Sequence, residues 1–205
     1  MVTRRTYLAL FALAALWLGP GLTAAAAIEA GQARTFIQSL GDEAITTLTR
    51  SELTANAREA KFRRLLRQGF AIEGIAKFVL GRYWRTITTD QRRRYLNAFE
   101  ELIVKTYAAR FEQYNGDSFR VTGERPDGEA GRLVESEINQ SSGPPLKVQW
   151  RVREGSEGLK IVDILVEGVS LAVTQRSEFA AVVQRHGGSV DALIEELESK
   201  VKALK

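Results

Sequence analysis

Apolar positions recur at three- and four-residue steps through the first half of the chain, alternate with polar ones in the middle, and return to helical spacing at the end. Residues 28–49 place Ala33, Phe36, Ile37, Leu40, Ala44 and Leu48 on one helix face. A second helix from Thr54 carries Phe62, Leu65, Leu66 and Phe70 on one side and Arg58, Arg63, Arg64 and Arg67 around the other, and Gly69 ends it. Ile72, Ile75, Phe78, Val79 and Tyr83 repeat the spacing in a third helix that closes near Arg85. Thr88 and Gln91 have the capping-box form, a hydroxyl at the cap and a glutamine three residues later. The long helix they start runs to Tyr114, with Tyr95, Phe99, Leu102, Ile103, Tyr107 and Phe111 on one wide apolar face. Such a face needs a sheet or a ligand opposite it. Asn115-Gly116-Asp117 then breaks the pattern.

Four strands follow, at 119–124, 131–140, 146–154 and 159–167, punctuated by glycine and proline. The third has the clearest two-residue period, with Leu146, Val148, Trp150 and Val152 facing one way and Lys147, Gln149, Arg151 and Arg153 the other. Short turns at 141–145 and 155–158 require antiparallel neighbours, so one face of the sheet is wet and one covered. After Gly168 a short apolar return, Val169, Leu171 and Val173, meets a helix start expected at Ser177. That helix stops at Gly187-Gly188, and Ser189 caps a last one bearing Val190, Leu193, Ile194, Leu197, Val201 and Leu204. The expected fold class is α+β: a curved antiparallel sheet of about four strands with helices over one face. Gly81 and Gly168 are expected to allow close backbone approach or positive φ.

The first 27 residues read differently. Arg4 and Arg5 precede an apolar run over residues 8–18, and a small-residue zone ends in Ala24-Ala25-Ala26-Ala27. That is the order of a signal peptide, implying a periplasmic protein, and the run is too short to span a bilayer. Thr3-Arg4-Arg5-Thr6-Tyr7-Leu8 fits a twin-arginine export signal as well as a general secretory one. The remainder, 28–205, reads as one domain, helical over 28–115, sheet over 116–174 and helical again over 175–205. Without Arg4 and Arg5 the 29 basic side chains become 27 against 25 acidic, so the formal charge of +4 falls to +2. That surplus is too small for a nucleic-acid protein. With no cysteine, stability rests on an ordinary core even in an oxidising compartment.

Catalytic chemistry has little to stand on. His186 is the only histidine, and its place before Gly187-Gly188 suits the carbonyl end of a helix. No cysteine-histidine pair or histidine-rich metal site is available, no serine has a glycine-flanked elbow, and no glycine-rich phosphate loop precedes a helix. Glu73, Asp163 and Glu167 are carboxylates of a kind any chain this size offers. No enzyme, cofactor or metal is expected.

Two segments carry a family likeness. FAIEGIAKFVLGRYWR at 70–85 and KIVDILVEGVSLAVTQRSEF at 160–179 resemble signature stretches of the MlaC family, also called the toluene-tolerance auxiliary family. TTDQRRRYLNAFEELIVKTYAARF at 88–111 is similar to the family's long central helix. The resemblance implies a nuclear-transport-factor-like sheet with a helical subdomain and lipid tails between them. It implies a periplasmic shuttle that carries phospholipid between an outer-membrane lipoprotein complex and an inner-membrane ABC transporter complex. Relatives that accompany hopanoid or other envelope lipids leave a second cargo open, and a periplasmic adaptor without lipid is a third reading. Independently, the apolar faces of the third and central helices and of the third and fourth strands exceed what a small sheet needs to close its core. A diacyl lipid has roughly 30 methylenes at about 0.8 kcal/mol each, so a carrier must enclose both tails.

The lining expected on that basis is Ile75, Phe78, Val79 and Tyr83 from the third helix and Tyr95, Phe99, Leu102, Ile103 and Tyr107 from the central one. The sheet contributes Val148, Trp150, Val152, Ile164 and Val166, and the return after it Val169 and Leu171. Each position reads equally well as plain core. Arg82 and Arg85 are expected at a pocket mouth with Trp84 at its rim. Arg92, Arg93 and Arg94, like Arg63, Arg64 and Arg67, read either as a solvated helix face or as a docking surface.

Overall fold

The computed structural model describes residues 28–113, 118–139 and 143–204. The expected signal peptide, the end of the central helix at Tyr114, the Asn115-Gly116-Asp117 break and part of the 141–145 turn lie outside them. Helix α1 (Gln32–Leu48) is followed by α2 (Ala55–Gly69), α3 (Ile72–Leu80), a 3-10 turn (Gly81–Arg85) and α4 (Thr89–Ala108), which ends in a second 3-10 turn (Ala109–Gln113). Thr54 caps α2 by accepting from the Ala57 amide. Thr88 and Gln91 form the complete capping box at the start of α4. Gly69 closes α2 against α1, where a Cβ would lie 2.5 Å from Leu40. Gly81 ends α3 at φ 61°, which an L side chain rarely adopts.

Strands β1 (Ser118–Pro126), β2 (Gly131–Asn139), β3 (Leu146–Gly155), β4 (Gly158–Val166) and the two-residue β5 (Val169–Ser170) form one antiparallel sheet in sequential order. Bulges interrupt the register in β1 after Val121 and between β3 and β4 at Val152. Such bulges increase local twist, as a curved sheet requires. Glu167 and Gly168, at φ 49° and 80°, make the tight turn into β5. Beyond β5 come α5 (Leu171–Arg185) and α6 (Val190–Ala203).

The return differs from expectation. Leu171 already belongs to α5, so the sheet gives way to helix before the expected boundary at residue 175. Ser170 is the cap, accepting from the Val173 amide at 3.1 Å. Ser177 lies exposed inside the helix and donates to the Val173 carbonyl. Val169, Leu171 and Val173 alternate in sequence because they straddle a strand end and a helix start, and all three are exposed.

Two apolar clusters organise the molecule. One joins α3, the first 3-10 turn, α4, α5 and α6, around Trp84, Tyr95, Phe99, Phe179, Val183, Leu193 and Leu197. The other lies between α1 and the sheet, around Ile28, Ile37, Val121, Val134, Val152 and Ile161. The opposite sheet face is an ion-pair lattice: Arg120 with Glu137, Arg125 with Glu135, and Arg151 and Arg153 both with Asp127. Among the described residues no helix is long and apolar enough to cross a membrane.

Candidate functional site

The sixteen expected lining residues fall into three environments. Val79, Tyr95 and Phe99 are 1%, 0% and 5% exposed within the helical cluster, and Ile75, Tyr83, Leu102 and Ile103 pack partly buried against it. Tyr95 meets Phe99 and Phe179 with ring centroids 5.8 and 6.3 Å away, and its hydroxyl donates to the Ala76 carbonyl at 2.9 Å. Burial pushes the Tyr95 hydroxyl's pKa far up, so the group stays a neutral donor. Trp84, expected at a rim, is buried here edge-on to Tyr95, with the Arg92 guanidinium 4.6 Å from its ring.

The sheet members sit differently. Val148 and Val152 are buried, while Trp150, Ile164 and Val166 are half-buried. Register places Trp150 opposite Ile164 and Val148 opposite Val166, so these side chains share the apolar face. The Trp150 indole donates to the Ser136 hydroxyl at 2.9 Å, which donates to the Val148 carbonyl at 3.1 Å. Phe119 meets Trp150 edge-on. Phe36, Leu40, Phe70 and Leu159 complete the half-buried rim of this cluster. These four and Phe119 are not among the sixteen, although Phe36 and Leu40 stand on the one apolar face of the first helix.

The remaining members, Phe78, Tyr107, Val169 and Leu171, are 43%, 38%, 59% and 38% exposed and join neither cluster. Position on the apolar stripe of the third or central helix does not by itself decide burial.

Charged groups frame rather than fill the site. Burial disfavours the Arg63 cation, but Glu101 and Glu100, at 2.9 and 3.0 Å, outweigh it and hold its pKa above the ordinary value. Arg94 is held up by its hydrogen bond to Glu198. Burial opposes the Asp127 carboxylate, but Arg153 and Arg151 outweigh that and lower its pKa. Asp163, buried, accepts from Arg151, from the Ser170 hydroxyl and from the Ala172 amide, tying β4 to the start of α5. A groove of about 410 Å³ lies along Thr122, Glu135, Glu137, Lys147 and Glu167. Another of about 380 Å³ lies between Arg63, Arg64, Arg67 and Lys160. Both are lined mainly by charged and polar residues. No cluster of three potential metal-ligating side chains occurs among the described residues.

The family model described as MlaC protein matches residues 38–199. The chain belongs to the MlaC family. Two curated relatives align over 124 residues each. The toluene tolerance protein ttg2D of Pseudomonas putida is 23% identical over 60% of this chain and 58% of its own length. The intermembrane phospholipid transport system binding protein MlaC of Haemophilus influenzae is 24% identical over 58% of this chain and 57% of its own. The chain thus spans under three-fifths of the length of either relative. The solved structure of a phospholipid-binding protein from Ralstonia solanacearum, in complex with a phospholipid, superposes with a TM-score of 0.73 at 23% identity, covering 84% of this chain and 98% of that one. At that identity the likeness shows a shared fold, the mixed helix-and-sheet architecture seen here.

Proposed function

We propose that this protein is a carrier that binds a phospholipid with its tails along the apolar face of β3 and β4, beneath the wall made by α1 and α2. The observation that carries the reading is the half-buried row Trp150, Ile164 and Val166, beside the buried Val148, Val152 and Ile161 of the same strands. Membership of the MlaC family and the fold shared with a phospholipid-binding protein of Ralstonia solanacearum support it.

Few ties join wall to sheet on the β4 side. Lys160 donates its ammonium protons to the Arg67 and Gln68 carbonyls at the end of α2, and the Ala71 amide donates to the Ile161 carbonyl. Tail entry parts side-chain contacts along the seam while these ties act as the hinge. Both tails are then withdrawn from water, and the headgroup keeps its hydration, so no covalent step belongs to the cycle. The protein acts in the periplasm after removal of its leader. It exchanges lipid with an inner-membrane ABC transporter complex and an outer-membrane lipoprotein complex, and any nucleotide is hydrolysed by the transporter.

Detergent-free purification, solvent extraction and mass spectrometry test this. Glycerophospholipid near one molecule per chain is the expected result. Hopanoid in its place would change the cargo, and an empty extract from protein that also refuses added lipid would sink the carrier reading.

A further inference from the structure

The cations of this molecule are used in two ways. Every arginine of the sheet is ion-paired: Arg120, Arg125, Arg132, Arg151 and Arg153 each reach a carboxylate. Around the first 3-10 turn the reverse holds. Lys77, Arg82, Arg85, Arg92 and Arg176 are exposed, and none has an ion-pair partner among the described residues. Three of them, Arg82, Arg92 and Arg176, rest on aromatic rings of this stretch. The Arg176 guanidinium lies 4.9 Å over the Phe78 ring and 3.1 Å from where Gly81 would carry a Cβ. Arg82 stacks on Tyr83 at 4.9 Å and donates to its hydroxyl, and Arg92 stacks on Trp84. The carboxylates on the same elements do not balance them. Asp90 is taken by Arg93, Glu178 accepts from Gln175, and Glu73 occupies the first turn of α3, where it answers the helix's own positive end.

We infer that this face, centred on Phe78 and the Gly81–Arg85 turn, docks on the anionic surface of a phospholipid bilayer. Stacking fixes the guanidiniums before docking, so little side-chain freedom is lost on contact. The exposed apolar side chains among them, Phe78 at 43% and Val173 at 51%, supply shallow insertion at headgroup depth. A specific protein partner would be read by a pocket and by charges of both signs. Neither groove described above lies here, and the charge without an ion-pair partner is mainly cationic, five cations against the carboxylates of Glu73 and Glu178. A fluid field of phosphates matches that pattern without needing register. The inference stands apart from the lipid seam and does not require it.

Co-sedimentation of the exported protein with vesicles of equal parts phosphatidylglycerol and phosphatidylcholine tests it. Binding is expected, with release at about 1 M salt, where the screening length is about 3 Å. Each cation removed should weaken partitioning about fivefold, so Arg85→Gln alone gives that loss and R82Q/R85Q/R176Q gives about a hundredfold. R120Q/R125Q, removing two ion-paired arginines from the sheet, should leave binding within about twofold. No sedimentation, equal binding to pure phosphatidylcholine, or equal losses in the two arginine sets would overturn the proposal. Retention on immobilised polyglutamate but not on vesicles would overturn it too, assigning the face to an acidic protein. Lipid extracted from the soluble protein is measured in parallel, so failure of the seam and failure of the docking face are read separately.

Discussion

The helical cluster and the sheet cluster are built from the same apolar residue types and end in different states. In the first, Trp84, Tyr95, Phe99 and Phe179 interlock edge-to-face, and the Tyr95 hydroxyl finds a carbonyl, so the interior is closed by its own side chains. In the second, the fully buried side chains are aliphatic and the aromatic ones, Phe36, Phe70, Phe119 and Trp150, remain at the half-buried rim. On the carrier reading proposed above, the difference assigns a greasy cargo to the sheet cluster. A closed aromatic core resists opening, because every void in it forfeits packing. A rim of half-covered rings along a sheet face exchanges one apolar neighbour for another at small cost.

The largest effect should come from breaking the closed cluster. Tyr95→Ala is expected to lower unfolding free energy by about 3–5 kcal/mol in denaturant titration. Phe99→Arg should abolish folding, as circular dichroism would register, because it buries an unpaired charge. A folded Phe99→Arg protein without lipid would instead move the cargo into the helical cluster.

Val166→Arg and Trp150→Ala probe the other side. Both are expected to stay folded and to retain less than about a tenth of the wild-type lipid, a loss of about 1.4 kcal/mol or more in affinity. If either keeps its full complement while Tyr95→Phe loses it, the contrast between the clusters is reversed. Tyr95→Phe itself removes only the bond to Ala76 and should cost about 1 kcal/mol with lipid content unchanged.

Smaller still is the helix cap. Ser170→Ala should destabilise by about 1 kcal/mol, while Ser177→Ala stays within about 0.5 kcal/mol, as thermal melts would separate. The smallest effect belongs to the charged face of the sheet. Because Arg153 and Arg151 depress the Asp127 pKa, its contribution to stability is complete above the unfolded carboxylate value near pH ~3.9 and is lost as pH falls through the lower folded value. Asp127→Asn should remove that part of the acid sensitivity, seen as a flatter melting profile below about pH 4.

Much of the fold was legible in the sequence. The capping box at Thr88 and Gln91, the alternation from Leu146 to Val152 and the glycines at 81 and 168 each specify a local backbone state, and the structure has all of them. The start of α5 is misread because both Ser170 and Ser177 suit a helix cap, and it is the Asp163 carboxylate, seven residues earlier on β4, that holds the Ser170 hydroxyl and the Ala172 amide and favours the first. The candidate site was less legible for a related reason. Periodicity reports that Phe78 and Val79 lie on an apolar stripe, but what covers the stripe is set by elements a hundred residues away. Phe78 meets an arginine of α5 and stays exposed, while Val79 one position on is buried.

The short pairing of Phe70 with Ile161, beyond the end of α2, carries a further consequence. Together with β5 it occupies the outer edge of β4 at both ends, and on the far edge Gln38 accepts from the Val121 amide while Arg34 donates to its carbonyl. An open sheet with a greasy face is the kind of surface on which identical chains stack into fibres. Both borders are thus partly engaged, which leaves fewer backbone groups free to recruit another copy. On the proposed cycle, the seam can then loosen with less exposed edge to nucleate aggregation.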